Sequence, residues 1–163
     1  QRRSDGRPMA DVQSHIGEHD MAEYPAWRST CQWVRENSRE DARFLIPPSI
    51  SSLRWYARRS EVVSRKDIPQ SAADIVEWAE RVAAVNDWYR RVAKDGLTPQ
   101  LRDELLELAA AENYDFQYVI IRGREVPRRM PLEEVYASDF GSSPEFVIYR
   151  VPQKPLELNR TVD

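Results

Sequence analysis

The sequence predicts an α/β domain: a mixed sheet of about five strands, three of them parallel and two forming an antiparallel hairpin at one edge, covered by helices. Short apolar segments at 42–46, 61–64 and 116–121 alternate with helical patterns, and strands joined through helices pair in parallel with right-handed crossovers. Two further apolar segments, at 135–136 and 146–149, flank a Gly-Ser-Ser-Pro turn, which indicates the hairpin.

The first predicted helix begins near Pro25, in a segment whose apolar residues recur at helical spacing. These apolar residues are Trp27, Cys31 and Val34. The strand at 42–46 follows, and two consecutive prolines close it because proline cannot extend a central strand. Ser51 or Ser52 then stands where a cap is needed for a short helix over 53–57.

A long amphipathic helix of roughly six turns is predicted after the strand at 61–64. Ser71 is its N-cap, with Asp74 in the capping-box position usually held by glutamate, and Gly96 ends it. Its apolar seam recurs at spacings of three and four and consists of Ile75, Trp78, Val82, Val85, Tyr89 and Val92. Thr98, followed by a proline, starts a further helix. The apolar stripe of that helix consists of Leu101, Leu105 and Leu108.

The polar ends of the chain predict the domain boundaries: a linker or flexible tail over 1–22, the α/β domain over 23–152 and a C-terminal tail over 153–163. Because the chain begins at Gln1 instead of methionine, we expect it to be a piece of a longer protein or a processed product. No stretch approaches the roughly 18 consecutive apolar residues of a membrane span, so we expect the chain itself to be soluble.

The charge and the cysteine content exclude several classes of protein. With 24 basic and 27 acidic residues, the net charge is −3. A nucleic-acid-binding domain is usually distinctly basic, so we expect no nucleic-acid partner. The single cysteine, Cys31, excludes an intrachain disulfide and a multi-cysteine metal site. Its position on an apolar helix face predicts a buried and unreactive thiol.

The segment from His15 to His19 matches the H-x-x-E-H pattern of inverted zinc peptidases, with Glu18 as the base. Gly17 interrupts the helix that this chemistry needs, and the segment lies in a polar tail. We therefore interpret both histidines as solvated and expect no metal. The five glycines are too widely spaced for a phosphate-binding loop, and no G-x-S-x-G is present. We expect no cofactor and assign no catalytic residue.

Basic and hydroxyl side chains follow the ends of the three predicted parallel strands. In open α/β sheets, ligands bind beyond the carboxyl ends of such strands, where the following loops meet at one edge. The sequence therefore predicts an anion-binding edge for a phosphate or carboxylate, formed by Ser51, Arg54, Arg65, Lys66, Arg122 and Arg124. The alternative is that these cations are solvated or paired with Glu61, Asp67 and Glu125.

A family resemblance, covering residues 24–151, rests on three groups of residues. The first group is Trp27, Cys31, Trp33, Val34, Asn37, Ser38, Asp41, Ala42, Phe44, Leu45, Pro47 and Pro48. The second is Arg54, Trp55, Tyr56, Ala57, Arg59, Ser60, Val62, Val63, Lys66, Asp67 and Pro69. The third is Asp115, Phe116, Tyr118, Val119, Ile120, Glu134, Val135, Tyr136 and 146–150. The chain resembles a domain of unknown function in bacterial multi-spanning membrane proteins of planctomycete and cyanobacterial type, distantly similar to the extramembrane parts of polyprenyl-phosphate-dependent GT-C type glycosyltransferases.

The resemblance implies a non-catalytic soluble domain at the C-terminal end of an integral membrane protein, acting in substrate positioning or interaction. The full-length protein would be a glycosyltransferase-like membrane enzyme with this domain on the extracytoplasmic side. The implied partners are the membrane-embedded part of the same polypeptide and a phosphate-bearing or glycan ligand. The alternatives are a small stand-alone α/β enzyme, an anion-binding module that uses the basic edge, and a protein-interaction domain.

Overall fold

The computed structural model describes residues 18–64, 67–111, 114–125, 132–138 and 144–153. Its elements, in chain order, are α1 (Glu18–Asn37), β1 (Arg43–Leu45), α2 (Leu53–Ala57), β2 (Ser60–Glu61), α3 (Ala72–Asp95), α4 (Pro99–Ala110), β3 (Tyr118–Arg122), a 3₁₀ turn (Gly123–Glu125), β4 (Glu133–Ala137) and β5 (Phe146–Arg150). The sheet order is β2-β1-β3-β5-β4. The first three of these strands are parallel, and β5 is antiparallel to both β3 and β4. The predicted α/β class, with a mixed sheet and an edge hairpin, is confirmed.

The strand predicted at 42–46 lies inside the sheet, as β1, between β2 and β3. The Val62 amide donates a hydrogen bond to the Phe44 carbonyl at 3.0 Å, and the Gln117 amide donates to the Arg43 carbonyl at 3.1 Å. Both edges of β1 are therefore paired over its short length. The two prolines follow Ile46, where pairing has already ended, as predicted.

The sheet separates two cores, because successive residues of a strand point to opposite faces. On β3, Val119 and Ile121 pack against α3 and α4, whereas Ile120 packs against α1 and α2. The core under α3 and α4 contains Leu45, Val85, Trp88, Tyr89, Val92, Leu101, Leu105 and Tyr149. The core under α1 and α2 contains Trp27, Cys31, Val34, Phe44, Leu53, Ala57, Phe146 and Ile148.

The ends of α3 and α4 have the predicted caps. Ser71 Oγ accepts a hydrogen bond from the Asp74 amide at 3.2 Å, and Thr98 Oγ1 accepts one from the Leu101 amide at 3.2 Å. Gly96 ends α3 with a φ of 71° and a ψ of 176°, an extended conformation at positive φ that favours glycine. These bonds satisfy backbone groups that a helix leaves without internal partners.

Several element boundaries differ from the predictions. α1 begins at Glu18 instead of near Pro25, so residues 18–22 of the predicted linker are helical; the polar residues there provide no apolar stripe to read. β2 ends three residues earlier than predicted, and the bounds of β3 are shifted by one or two residues, because pairing with neighbouring strands sets their ends. Residues 1–17 and 154–163 of the predicted tails lie outside the described residues, as does the turn at 141–143.

The apolar seam predicted along α3 is only partly buried. Val85 and Tyr89 are in the core, but Ile75 is 39% exposed. The 24 residues of α3 span about 36 Å at 1.5 Å per residue, whereas a five-residue strand spans about 17 Å. The first turns of α3 therefore extend beyond the sheet. There the half-buried Trp78 donates its Nε1 hydrogen to the Ser64 carbonyl at 2.9 Å.

Candidate functional site

The predicted anion-binding edge lies where the carboxyl ends of β1, β2 and β3 meet. Arg122, the last residue of β3, donates from Nη2 to Ser49 Oγ at 2.9 Å. Ser49 belongs to the loop that follows β1, so the loops after these two strands do come together. Parallel pairing of β1 and β3 is the physical reason for this contact between residues 73 positions apart.

Arg54, a second residue of the predicted edge, is paired with a carboxylate. Its Nη1 lies 2.6 Å from Asp67 Oδ2, and both side chains are largely exposed. An exposed ion pair of this kind contributes about 0 to 1 kcal/mol to stability. The pair nevertheless joins α2 to the segment that precedes α3, and it offsets the charge that Arg54 would offer to a ligand.

The helix start expected to face the ligand has a different hydrogen-bonding pattern from the one predicted. Ser52 occupies the N-cap position of α2, but its side chain makes no cap bond to the helix. Its Oγ instead accepts a hydrogen bond from Trp27 Nε1 at 2.9 Å. The predicted capping of α2 by a serine side chain is therefore wrong, because the buried indole of Trp27 needs an acceptor and takes the Ser52 hydroxyl oxygen for it. Ser51 is half-buried beside it.

The remaining predicted residues are only partly described. Arg65 and Lys66 lie outside the described residues, and Arg124 is exposed in the 3₁₀ turn after β3. The structure therefore brings Arg122 and Ser49 together and commits Arg54 to Asp67. The anion-binding edge as a whole stays a prediction.

A small cavity lies at the same edge, between the β1 loop and α3. Its volume is about 20 Å³, and apart from one asparagine its walls are apolar: Ile46, Pro47, Pro48, Ile50, Val63, Val82, Val85 and Asn86. A cavity of this size has room for about one water molecule. It is too small to admit a phosphate-bearing ligand.

Arg59, which the sequence analysis named only among the residues of the family resemblance, connects the ends of α1 and α2. It is only 7% exposed. Its Nη2 donates to the carbonyls of Arg35 and Ser38 at 2.9 and 2.8 Å, and its Nε donates to Ser38 Oγ at 3.0 Å. Its Nη1 donates to the carbonyls of Ala57 and Arg58 at 3.4 and 3.1 Å. Arg59 thus satisfies carbonyl groups at the ends of both helices.

Cys31 is buried, as predicted, with 1% of its surface exposed. Burial raises the pKa of its thiol to about 12, although the nearby charge of Arg28 acts in the opposite direction. The thiol is therefore protonated at neutral pH, and its contacts are those of a small apolar side chain.

We expect native Cys31 to react with a colorimetric thiol reagent far more slowly than the same thiol in denaturant. Raising the thiol pKa from 9.0 to about 12 lowers the thiolate fraction about a thousandfold at neutral pH, and burial also blocks access. The pKa of this thiol is higher in the folded protein than in the unfolded chain. The free energy of unfolding should therefore fall as pH rises from about 8.5 towards 12, because the unfolded chain loses this proton first. Equal labelling rates with and without denaturant would contradict the assignment.

The outer face of α1 carries a cluster of two tyrosines and an arginine. The hydroxyls of Tyr24 and Tyr56 are hydrogen-bonded, 2.9 Å apart, and Arg28 Nη1 donates to Tyr24 Oη at 3.2 Å. The Arg28 guanidinium carbon lies 5.0 Å from the ring centre of Tyr56 and 5.7 Å from that of Tyr24, within cation–π range. The bond to Tyr56, followed by the one from Arg28, lowers the pKa of Tyr24, and the bond to Tyr24 raises the pKa of Tyr56.

This cluster borders a wide, shallow concavity along α1, with a volume of about 730 Å³. Its walls are formed by Pro25, Arg28, Ser29, Gln32, Arg35, Glu36 and Tyr56. The spacing of Tyr24 and Arg28, four residues apart, puts both on one helix face and could have been read from the sequence. The contribution of Tyr56 could not, because it depends on the packing of α2 against α1.

Within the described ranges, no group of three or more histidine, cysteine, aspartate and glutamate side chains could hold a metal ion. His15 and the side chain of His19 lie outside the described part of the structure, so the interpretation of these histidines as solvated stays a prediction. None of the helices in the described ranges is both long enough and apolar enough to cross a membrane.

Comparison with known proteins gives one family match. A family described as a domain of unknown function, DUF6798, matches residues 25–85, which run from α1 into the middle of α3. No curated protein and no solved structure matches the chain.

Proposed function

We propose that this chain is a non-catalytic domain of an integral membrane protein, where it holds a substrate or a partner segment in position. Its main partner is the membrane-embedded part of the same polypeptide, and a phosphate-bearing or glycan ligand is the molecule that it helps to position. The parent is a glycosyltransferase-like membrane enzyme, and the domain lies on the extracytoplasmic side. The sequence resemblance over residues 24–151 supports this membrane context.

The observation that supports a binding role is that the buried polar side chains stabilise the fold, whereas a large aromatic side chain is left exposed. The buried polar groups hold the fold together: Arg59 binds helix-end carbonyls, and Tyr89 Oη donates to the Ile120 carbonyl at 2.7 Å. The buried thiol of Cys31 is protonated. Trp55, in contrast, is 82% exposed. Aromatic residues such as tryptophan are enriched at protein interfaces, so the exposed Trp55 supports a binding surface.

The membrane context is tested on the natural full-length protein. An antibody raised against this chain should detect the protein in the membrane fraction, and washing with alkaline carbonate should not release it. External protease should remove the antibody epitope from cells whose outer layers have been opened, which tests the extracytoplasmic orientation. Recovery of the protein in the soluble fraction would overturn the proposed function.

A further inference from the structure

The charges of the chain are divided between the two helical layers. Residues 28–59, which form the second half of α1 and all of β1 and α2, contain seven arginines and three acidic residues, a net charge of +4; from the start of α1, residues 18–59, the net charge is +1. Residues 72–110, which form α3 and α4, contain five basic and eight acidic residues, a net charge of −3. The acidic residues of α1 at positions 18, 20 and 23 precede this segment in the chain, so the excess of arginine belongs to residues 28–59. This part of the α1/α2 side therefore attracts anions although the whole chain is acidic.

Three arginines on this side are available to a ligand. Among the described residues, the side chains of Arg28, Arg35 and Arg58 form no ion pair with a carboxylate, whereas Arg54 is paired with Asp67. Arg28 is held against two tyrosine rings, which fixes its guanidinium on the outer face of α1. Arg58 is exposed at the C-terminal end of α2, which the bonds of Arg59 to the Arg35 and Ser38 carbonyls fasten beside the end of α1.

Trp55 points directly away from the protein on the same side. At about 100° per residue, the buried Leu53 and Ala57 define the inward direction of α2, and Trp55 lies opposite to both. Tyr56, about 100° further around the helix, faces α1 and Tyr24. The outer face thus combines amphipathic aromatic rings with arginines that form no ion pair within the described part of the chain. This is the composition of protein surfaces that lie at the interface between a bilayer and water.

We propose that the outer face of α1 and α2, formed by Tyr24, Arg28, Arg35, Trp55, Tyr56 and Arg58, rests on the anionic lipid headgroups of a membrane surface. The arginines bind lipid phosphates, and the Trp55 indole enters the headgroup region. The inference rests on the proposed function, which supplies the nearby bilayer. It adds the orientation of the domain: the acidic layer of α3 and α4 faces away from the membrane.

The test is co-sedimentation of the 163-residue chain with phosphatidylcholine vesicles that contain phosphatidylglycerol, at low ionic strength. The chain should bind these vesicles and not pure phosphatidylcholine, and added salt should weaken binding because it screens exposed charges. Replacing Arg28 or Arg35 with alanine should each weaken binding about fivefold, and Trp55→Ser about tenfold. Lys94→Ala and Val76→Ser, at exposed positions of α3, are the matched controls and should bind like the wild type.

Circular dichroism and melting curves verify that each variant is folded. Failure of the folded chain to bind anionic vesicles overturns the inference, as does binding that the α3 variants weaken as much as the α1 and α2 variants. Displacement of the vesicles by inorganic phosphate at low millimolar concentration would indicate a pocket for a single ion. RNA binding by the chain that the same variants lose would indicate a nucleic-acid surface. Either result overturns the inference. If the full-length protein is recovered in the membrane fraction but the 163-residue chain does not bind vesicles, the proposed function stands and only this inference fails. Failure of the inference can therefore be distinguished from failure of the proposed function.

Discussion

Replacement of Arg59 with alanine is expected to lower the free energy of unfolding by about 3 to 5 kcal/mol, because a buried hydrogen-bonded cation cannot be removed without leaving its partners unsatisfied. The guanidinium bonds to the carbonyls of Arg35 and Ser38 at one helix end and to Ala57 and Arg58 at the other. Without it, these carbonyls would face a buried gap. Urea denaturation monitored by circular dichroism measures the loss.

Arg58→Ala is the matched control for this prediction, since Arg58 is adjacent to Arg59 and exposed. Its φ is 54°, and an alanine at this position would have the same positive φ as the arginine that it replaces. It should change the free energy of unfolding by less than about 0.5 kcal/mol. Arg59→Lys should recover only part of the stability, because an ammonium group has three donors and lacks the planar fork of a guanidinium. A loss below about 1 kcal/mol for Arg59→Ala would show that water replaces the guanidinium and that the junction does not depend on it.

Gly123→Ala is expected to destabilise the sheet by about 3 kcal/mol, at the upper end of the usual cost of overpacking. A Cβ on residue 123 would lie 1.7 Å from the Pro144 carbonyl oxygen and 2.6 Å from its carbonyl carbon. Both are backbone atoms, so no side-chain rotation relieves the clash. The Gly123 amide also donates to the Glu145 carbonyl at 2.9 Å, a bond that the displaced chain would lose. Glycine is needed here for the close approach of two backbone segments.

The same denaturation experiment checks this prediction, together with amide hydrogen exchange at residue 123. Exchange should become faster in the variant, because the bond from the Gly123 amide to the Glu145 carbonyl, just after β3 and just before β5, is broken. Arg124→Ala, one residue further along and exposed, should have little effect. A Gly123→Ala protein with unchanged stability and exchange would mean that the two segments separate without cost.

Signals that act over three or four residues could be read from the sequence. Ser71, Thr98 and Gly96 mark helix ends through bonds within one turn, so their sequence neighbours were sufficient to predict them. The buried thiol of Cys31 followed from its helical spacing to Trp27. The parallel sheet followed from alternating strands and helices. Each of these conclusions depends on local geometry or on a general rule of chain connection.

The partners of side chains distant in sequence could not be read in the same way. Trp27 Nε1 donates a hydrogen bond to Ser52 Oγ, and α2 lacks the predicted side-chain cap. Arg54 pairs with Asp67, one of three carboxylates that the sequence offered as possible partners without a means of choosing between them. Ile75 has the same helical spacing as the core residues of α3, but it lies beyond the sheet and is partly exposed. The periodicity of a helix gives no information about the length of the sheet against which it packs.

The sequence by itself determined the class of fold and the main local elements of this protein, because periodicity, caps and the proline stop of β1 are physical constraints within a few residues. The tertiary structure alone decided which side chains share a surface. Tyr24, Arg28 and Tyr56 meet because α2 packs against α1, and Arg59 holds the end of α2, and with it Arg58, beside the C-terminal end of α1. A contact between residues about 30 positions apart depends on the free energy of packing whole elements, which no local pattern encodes.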